Sequence, residues 1–167
     1  MKIGIIADSH ENLQNLQQVI DWLNKNKIKV LIHCGDVARM NMLEEINCRF
    51  KGKTYLVWGN ADLGFFNNIN YANFKNIIFY DKIGELRIEN KNISWVHRLK
   101  DARELARGGR YDLVFYGHTH KPWEEKIGKT RLVNPGDVSG TKYAPTFAVY
   151  DCENQNLELK ILNNITS

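Results

Sequence analysis

The sequence predicts an α/β fold, a single domain over residues 1–167 built around two sheets. Three observations carry this. Apolar runs of strand length alternate with stretches of helical spacing through the first 60 residues. Short strand-like runs dominate the second half. No internal repeat, low-complexity tract or linker divides the chain, and 167 residues are enough to bury a core without disulfides or a structural metal.

Taken in order, residues 2–7 (KIGIIA) form a strand, and Leu13, Leu16, Ile20 and Leu23 repeat at helical spacing to about Asn26. Val30, Leu31 and Ile32 form a second strand running into Gly35-Asp36, a helix follows near 39–49, and TYLVWGN at 54–60 makes a third strand. This is the opening of a parallel sheet with crossover helices. Strands are then expected at 77–80, 84–88 and 92–97, a helix at 100–107 ending in Gly108-Gly109, and a strand at 112–116. Further β segments fall near 121–127, 130–134, 146–151 and 156–161.

Composition excludes several classes. At 43% hydrophobic and 25% charged the chain is ordinary for a globular protein, and no apolar run approaches the roughly 18 residues that span a bilayer. No membrane role is expected. The N-terminus reads as a strand and not as a signal peptide, which places the protein in the cytoplasm. Cys34, Cys48 and Cys152 are scattered and form no CxxC pair, so reduced thiols are expected rather than a disulfide framework or zinc knuckle. A net charge of +4 permits anionic ligands without indicating nucleic acid.

Polar residues punctuate the strand ends: Asp8-Ser9-His10, Gly35-Asp36, Gly59-Asn60, His97 and His118-Thr119-His120. In open parallel sheets, ligands bind at the carboxyl ends of the strands. Were the chain extended there, Asp8 and His10 would share one side, as would His118 and His120, and each pair could grip one site. Two carboxylates, one amide and four imidazoles without a thiolate suit Mn, Fe, Zn, Co or Ni better than Ca or Mg. Seven donors are too many for one tetrahedral zinc and suit two divalent ions sharing a carboxylate, a centre whose surplus positive charge attracts phosphate.

In this order, D-x-H, G-D, G-N, a lone His and G-H-x-H resemble the calcineurin-like metallophosphoesterases, in their small single-domain bacterial and archaeal phosphodiesterase branch. The resemblance runs from Met1 through the VNPGD turn at 133–137 and the strand after it. It implies a four-layer α-β-β-α sandwich of two mixed sheets flanked by helices. It also implies one ion on Asp8, His10, Asp36 and His120, and a second on Asp36, Asn60, His97 and His118, with Asp36 bridging. The implied activity is a phosphodiesterase in which a metal-bridging hydroxide attacks phosphorus, with Mn²⁺ the first choice and Ni²⁺, Co²⁺, Fe²⁺ or Zn²⁺ alternatives. A small phosphodiester or a nucleotide is the implied substrate. The rival reading is a non-catalytic protein-interaction scaffold on the same fold, as in a retromer subunit that has lost site histidines; this chain retains all four.

Two positions depart from the family. Many members carry a His after the Asn that acts on the scissile phosphate or protonates the leaving group, whereas this chain has Ala61 followed by Asp62, an expected orienter of the site. Diesters or aryl esters with good leaving groups are therefore the expected substrates. Relatives have Gly after the lone His; Arg98 there costs roughly 1 kcal/mol if that residue takes positive φ, or bends the loop differently. It could instead clamp substrate phosphate. His33 reads as structural. Lys100, Arg103 and Arg107 share a helix face that could track a nucleic-acid backbone, though a solvated face is the simpler reading. Phe65 and Phe66 could stack a base or line a contact between copies in a homo-oligomer, with core or lid packing as their default.

Overall fold

The computed structural model describes residues 1–64 and 69–165, so Phe65 and Phe66 lie outside the described residues. Strands and helices alternate at first: β1 (Lys2–Ile6), α1 (Leu13–Lys25), β2 (Val30–His33), α2 (Met40–Arg49), β3 (Lys53–Val57) and β4 (Ile77–Tyr80). A β-rich half follows with β5 (Ile83–Ile88), β6 (Lys91–Val96), α3 (Leu99–Arg107), β7 (Leu113–Tyr116), β8 (Trp123–Ile127), β9 (Thr130–Asn134), β10 (Thr146–Asp151) and β11 (Leu157–Ile161).

One sheet runs β11-β10-β1-β2-β3-β4 and the other β5-β6-β7-β9-β8. Both are mixed: β1 to β4 are parallel, as are β6, β7 and β9, while β10, β11, β5 and β8 pair antiparallel. Period-two alternation sorts each strand between two cores. Ile3 and Ile5 of β1 face the second sheet, where they meet Trp95, Phe115 and Val133. Ile6, Leu31 and Leu56 turn the other way, onto Leu16, Ile20 and Leu23 of α1 and Leu43 and Ile46 of α2. Across the second sheet, Val96, Val114 and Leu132 pack on Ala102 and Ala106 of α3. The layers are therefore helices, sheet, sheet, helix, as the sequence implied.

The expected third strand stops short. β3 ends at Val57, and residues 60–62 turn into a short 3₁₀ segment, because the backbone at Gly59 has to pass close against Asp36. Asn12 caps α1, its side chain accepting from the Asn15 N–H at 3.1 Å and donating to Ser139 O at 2.9 Å. The cap thus ties the first helix to the loop after β9.

Candidate metal centre

Six loops meet at one edge, each leaving the carboxyl end of a parallel strand: β1, β2 and β3 from one sheet, β6, β7 and β9 from the other. Their backbones are laced together. Asp8 N–H donates to Gly35 O, His10 N–H to Asp36 O, Gly117 N–H to His97 O and Ser139 N–H to Asp8 O, all between 3.0 and 3.1 Å. Gly35 and Gly59 are needed for this close approach: a Cβ on Gly59 would sit 2.1 Å from Asp36 Oδ1, and one on Gly35, at φ +90°, 2.8 Å from Gly59 N.

All seven predicted ligands converge here, but not through extended chain. Asp8, His10, Asp36, His118 and His120 take φ of 51°, 43°, 60°, 68° and 62°. This corrects the expectation that each i, i+2 pair shares a side. Left-handed turns keep Asp8 and His10 together yet send His118 and His120 to different clusters, one with Asp8 and His10 and one with Asp36 and His97. Such conformations hold only where the surroundings over-determine them. Asp and His are among the non-glycine residues that tolerate them best.

In the first cluster, His120 Nε2 lies 3.4 Å from His10 Nε2 and 3.8 Å from Asp8 Oδ1, and His10 Nε2 lies 4.0 Å from Asp36 Oδ2. In the second, His97 Nε2 lies 2.9 Å from Asn60 Oδ1, 3.2 Å from His118 Nδ1 and 3.4 Å from Asp36 Oδ2. His97 Nδ1 faces the Cys34 carbonyl at 2.9 Å, so in the neutral ring that nitrogen carries the proton and donates it. The Nε2 then points a lone pair at an amide oxygen and a carboxylate oxygen. The Asp36 carboxylate beside this lone pair suits a cation between them, a proton on His97 or a metal ion. Neighbouring donors bound to one ion at about 2.1 Å sit about 3 Å apart, close to the spacing of this cluster. The residues present therefore fit divalent metal.

The electrostatics agree. Burial raises Asp8 to about 8. For Asp36, burial pushes upward, but the His97 hydrogen bond and charge outweigh it and hold the carboxyl below its ordinary range. Burial pulls His97 down, yet Asp36 wins and raises it. His10 is lowered by burial, and His118 by burial and then by His97.

A second ring of residues holds the donors. Asp62 is fully buried and accepts from Asp36 N at 3.0 Å, Gly59 N at 2.7 Å and Ala38 N at 2.8 Å, clamping two donor loops. His33 does the same for another pair, with Nδ1 accepting from Gly35 N at 3.1 Å and Nε2 facing Ser9 Oγ at 3.0 Å. Burial drops its pKa to about 3, which keeps it neutral. The sequence reading missed Asp137. Its Oδ2 accepts from His120 Nδ1 at 2.7 Å, which fixes the tautomer that presents Nε2 inward. The available signal was the G-D of VNPGD, the same pair that follows β2.

A profile of the calcineurin-like phosphoesterase superfamily domain matches residues 1–155. The chain belongs to this superfamily. Phosphodiesterase MJ0936 of Methanocaldococcus jannaschii is 28% identical over 160 residues, covering 92% of this chain and 94% of that protein. An archaeal phosphodiesterase structure matches with a TM-score of 0.81 and 26% identity, over 96% of this chain and 99% of that one. Vps29 of Chaetomium thermophilum matches at 0.72 with 14% identity, over 96% and 93% of the two chains, a likeness of fold alone.

Within this family frame, Arg98 carries no left-handed strain. It is extended at φ −94° and ψ 139°, N-terminal to α3, exposed, and lines the cleft beside Asn60 and His97. Ala61 donates its backbone N–H to Asp36 Oδ1 at 2.8 Å and has no side chain for proton transfer. The basic stripe on α3 is broken, because Arg103 pairs with Glu125 at 3.0 Å. Among the described residues no helix is long and apolar enough to cross a membrane.

Proposed function

We propose that this superfamily member is a phosphodiesterase acting on a small-molecule or nucleotide diester, with two divalent ions held by the two donor clusters and Asp36 between them. The observation that supports this most is the convergence of Asn60, His97, His118 and Asp36, with the His118 ring nitrogen, the amide oxygen and the carboxylate oxygen 2.9 to 3.4 Å from His97 Nε2. Ions bound there supply Lewis-acid charge for phosphoryl oxygens and lower the pKa of water.

The chain's own groups do the rest. Asp8, His10 and His120 complete one half, and Asn60, His97 and His118 the other. Asp137 and the Cys34 carbonyl orient His120 and His97, and Asp62 fixes Asp36 through the backbone. Arg98, exposed in the cleft beside Asn60 and His97, would supply a charged hydrogen bond to a phosphoryl oxygen. With Ala61 in place of a proton donor, an ester with a poor leaving group loses about 10²- to 10⁴-fold. Diesters and aryl esters are accordingly favoured over alkyl monoesters.

The test is hydrolysis of an aryl phosphodiester and its monoester by chelator-treated protein before and after adding Mn²⁺. Diester turnover that returns with metal and vanishes in Asp36→Ala is expected. Absence of turnover with any divalent metal would transfer the case to the scaffold reading, with which the fold likeness to Vps29 is compatible.

A further inference from the structure

Two clefts flank the donor clusters. One, of about 700 Å³, opens beside His10 and His120 and is lined further by Glu11, Asn12, Ala38, Ser139 and Thr141, with no large aliphatic side chain among them. The other, of about 750 Å³, opens beside Asn60 and His97, and its walls include Trp58, Leu63, Ile83 and Leu105. Leu63 and Ile83 are 62% and 45% exposed, so aliphatic surface stands open to solvent directly beside the candidate centre. Both volumes fall in the range of small-ligand sites.

Charge narrows the occupant of the apolar cleft. Its ionic walls are Lys82, Arg98 and Lys100 against Asp81, Asp101 and Glu104, three of each sign. A nucleic-acid strand leaving the centre this way would bring further phosphates and need a surplus of cations. Balanced walls around exposed aliphatic groups suit an uncharged arm.

We infer that the cleft walled by Leu63, Ile83 and Leu105 is the subsite for one uncharged, apolar ester arm of the substrate, an aryl group, while the cleft at Asn12 receives the other arm. This rests on the phosphodiesterase reading and refines it: one ester arm of the substrate is apolar. Each cleft wall is continuous with a donor cluster, through Asn60 and His97 or through His10 and His120, and the exposed aliphatic side chains decide which takes the apolar arm.

The experiment measures competitive binding to the Mn²⁺-loaded chain by calorimetry, with dimethyl phosphate, methyl 1-naphthyl phosphate, and the naphthyl compound bearing a carboxylate at its far end. The naphthyl arm is expected to tighten binding about tenfold, which requires burial of only about 55 Å² of apolar surface at about 25 cal/mol per Å². Ile83→Ser and Leu63→Ser should each cut that preference to about threefold while dimethyl phosphate binds as before, and the carboxylate should abolish it. Equal affinity for the methyl and naphthyl compounds, or a preference that survives both substitutions, overturns the subsite. Hydrolysis of bis(4-nitrophenyl) phosphate is followed in parallel. Turnover without a naphthyl preference defeats the subsite alone, whereas a preference without turnover supports it and defeats the enzymatic reading.

Discussion

The two donor clusters adjoin, with Asp36 of one reaching to 4.0 Å from His10 of the other, but are built differently. From His97 Nε2 the other donor atoms stand at 2.9 to 3.4 Å, while from His120 Nε2 they stand at 3.4 to 3.8 Å. His97 is oriented by a neutral backbone carbonyl, and His120 by the buried carboxylate of Asp137. The tight cluster is organised by distance and the loose one by charge behind the ligand. Metal affinity in the first should therefore depend on loop packing, and in the second on a single acid.

Asp137→Asn breaks this comparison most directly. It retains the shape of the side chain and removes the charge that holds the His120 tautomer. Affinity at the Asp8, His10 and His120 cluster should fall about 10- to 100-fold, with the His97 cluster within a few-fold of wild type. Metal titration with an indicator chelator reads both. Equal losses in both clusters would show that they act as one unit.

Proton release sharpens it next. Asp8, raised by burial to about 8, holds a proton in the metal-free protein at pH 7, and Asp36 raises His97 above its ordinary range. Metal needs both groups unprotonated, so Asp8 gives up its proton on loading, and affinity in both clusters falls as pH drops. His10 and His118 run the opposite way. Lowered by burial, they stay neutral below the ordinary 6.5 and add proton competition only at still lower pH. Loading the protein at pH 7 in weak buffer should therefore release about one proton per chain from Asp8, read with a pH indicator. Release of none would contradict the assignment.

The smallest effect concerns the backbone. Ala38 sits at φ 66° with its N–H donated to Asp62, a left-handed residue lacking the local hydrogen-bonding side chain of its Asp and His neighbours. Ala38→Gly should stabilise the chain by about 0.5–1 kcal/mol in thermal or urea unfolding, with metal affinity unchanged. A destabilised variant would mean that Ala38 is not strained.

Strands and donors were legible in the sequence because each donor follows an apolar run, and an apolar run of strand length ending in a polar residue marks a sheet edge. The left-handed turns were not, since Asp8 and His118 look the same in one letter whatever their φ. That is why extended spacing suggested that His118 and His120 share a side, whereas the structure groups His118 with Asp36 and His97 and groups His120 with Asp8 and His10. Asp137 was hidden for a related reason. It contributes a hydrogen bond behind a ligand and not a ligand atom, so no ligand pattern points to it. Arg98 shows the converse: an unusual residue at a motif position suggested strain, and an extended backbone removes it.

The central claim is that seven side chains form one centre for two divalent ions through a shared Asp36. Its most direct test is equilibrium titration of chelator-treated protein with Mn²⁺, read by calorimetry, for the wild type and Asp36→Ala. Two ions per chain in the wild type, with Asp36→Ala weakening both by at least about a hundredfold, is the predicted result. A single ion whose binding is indifferent to Asp36→Ala would contradict it.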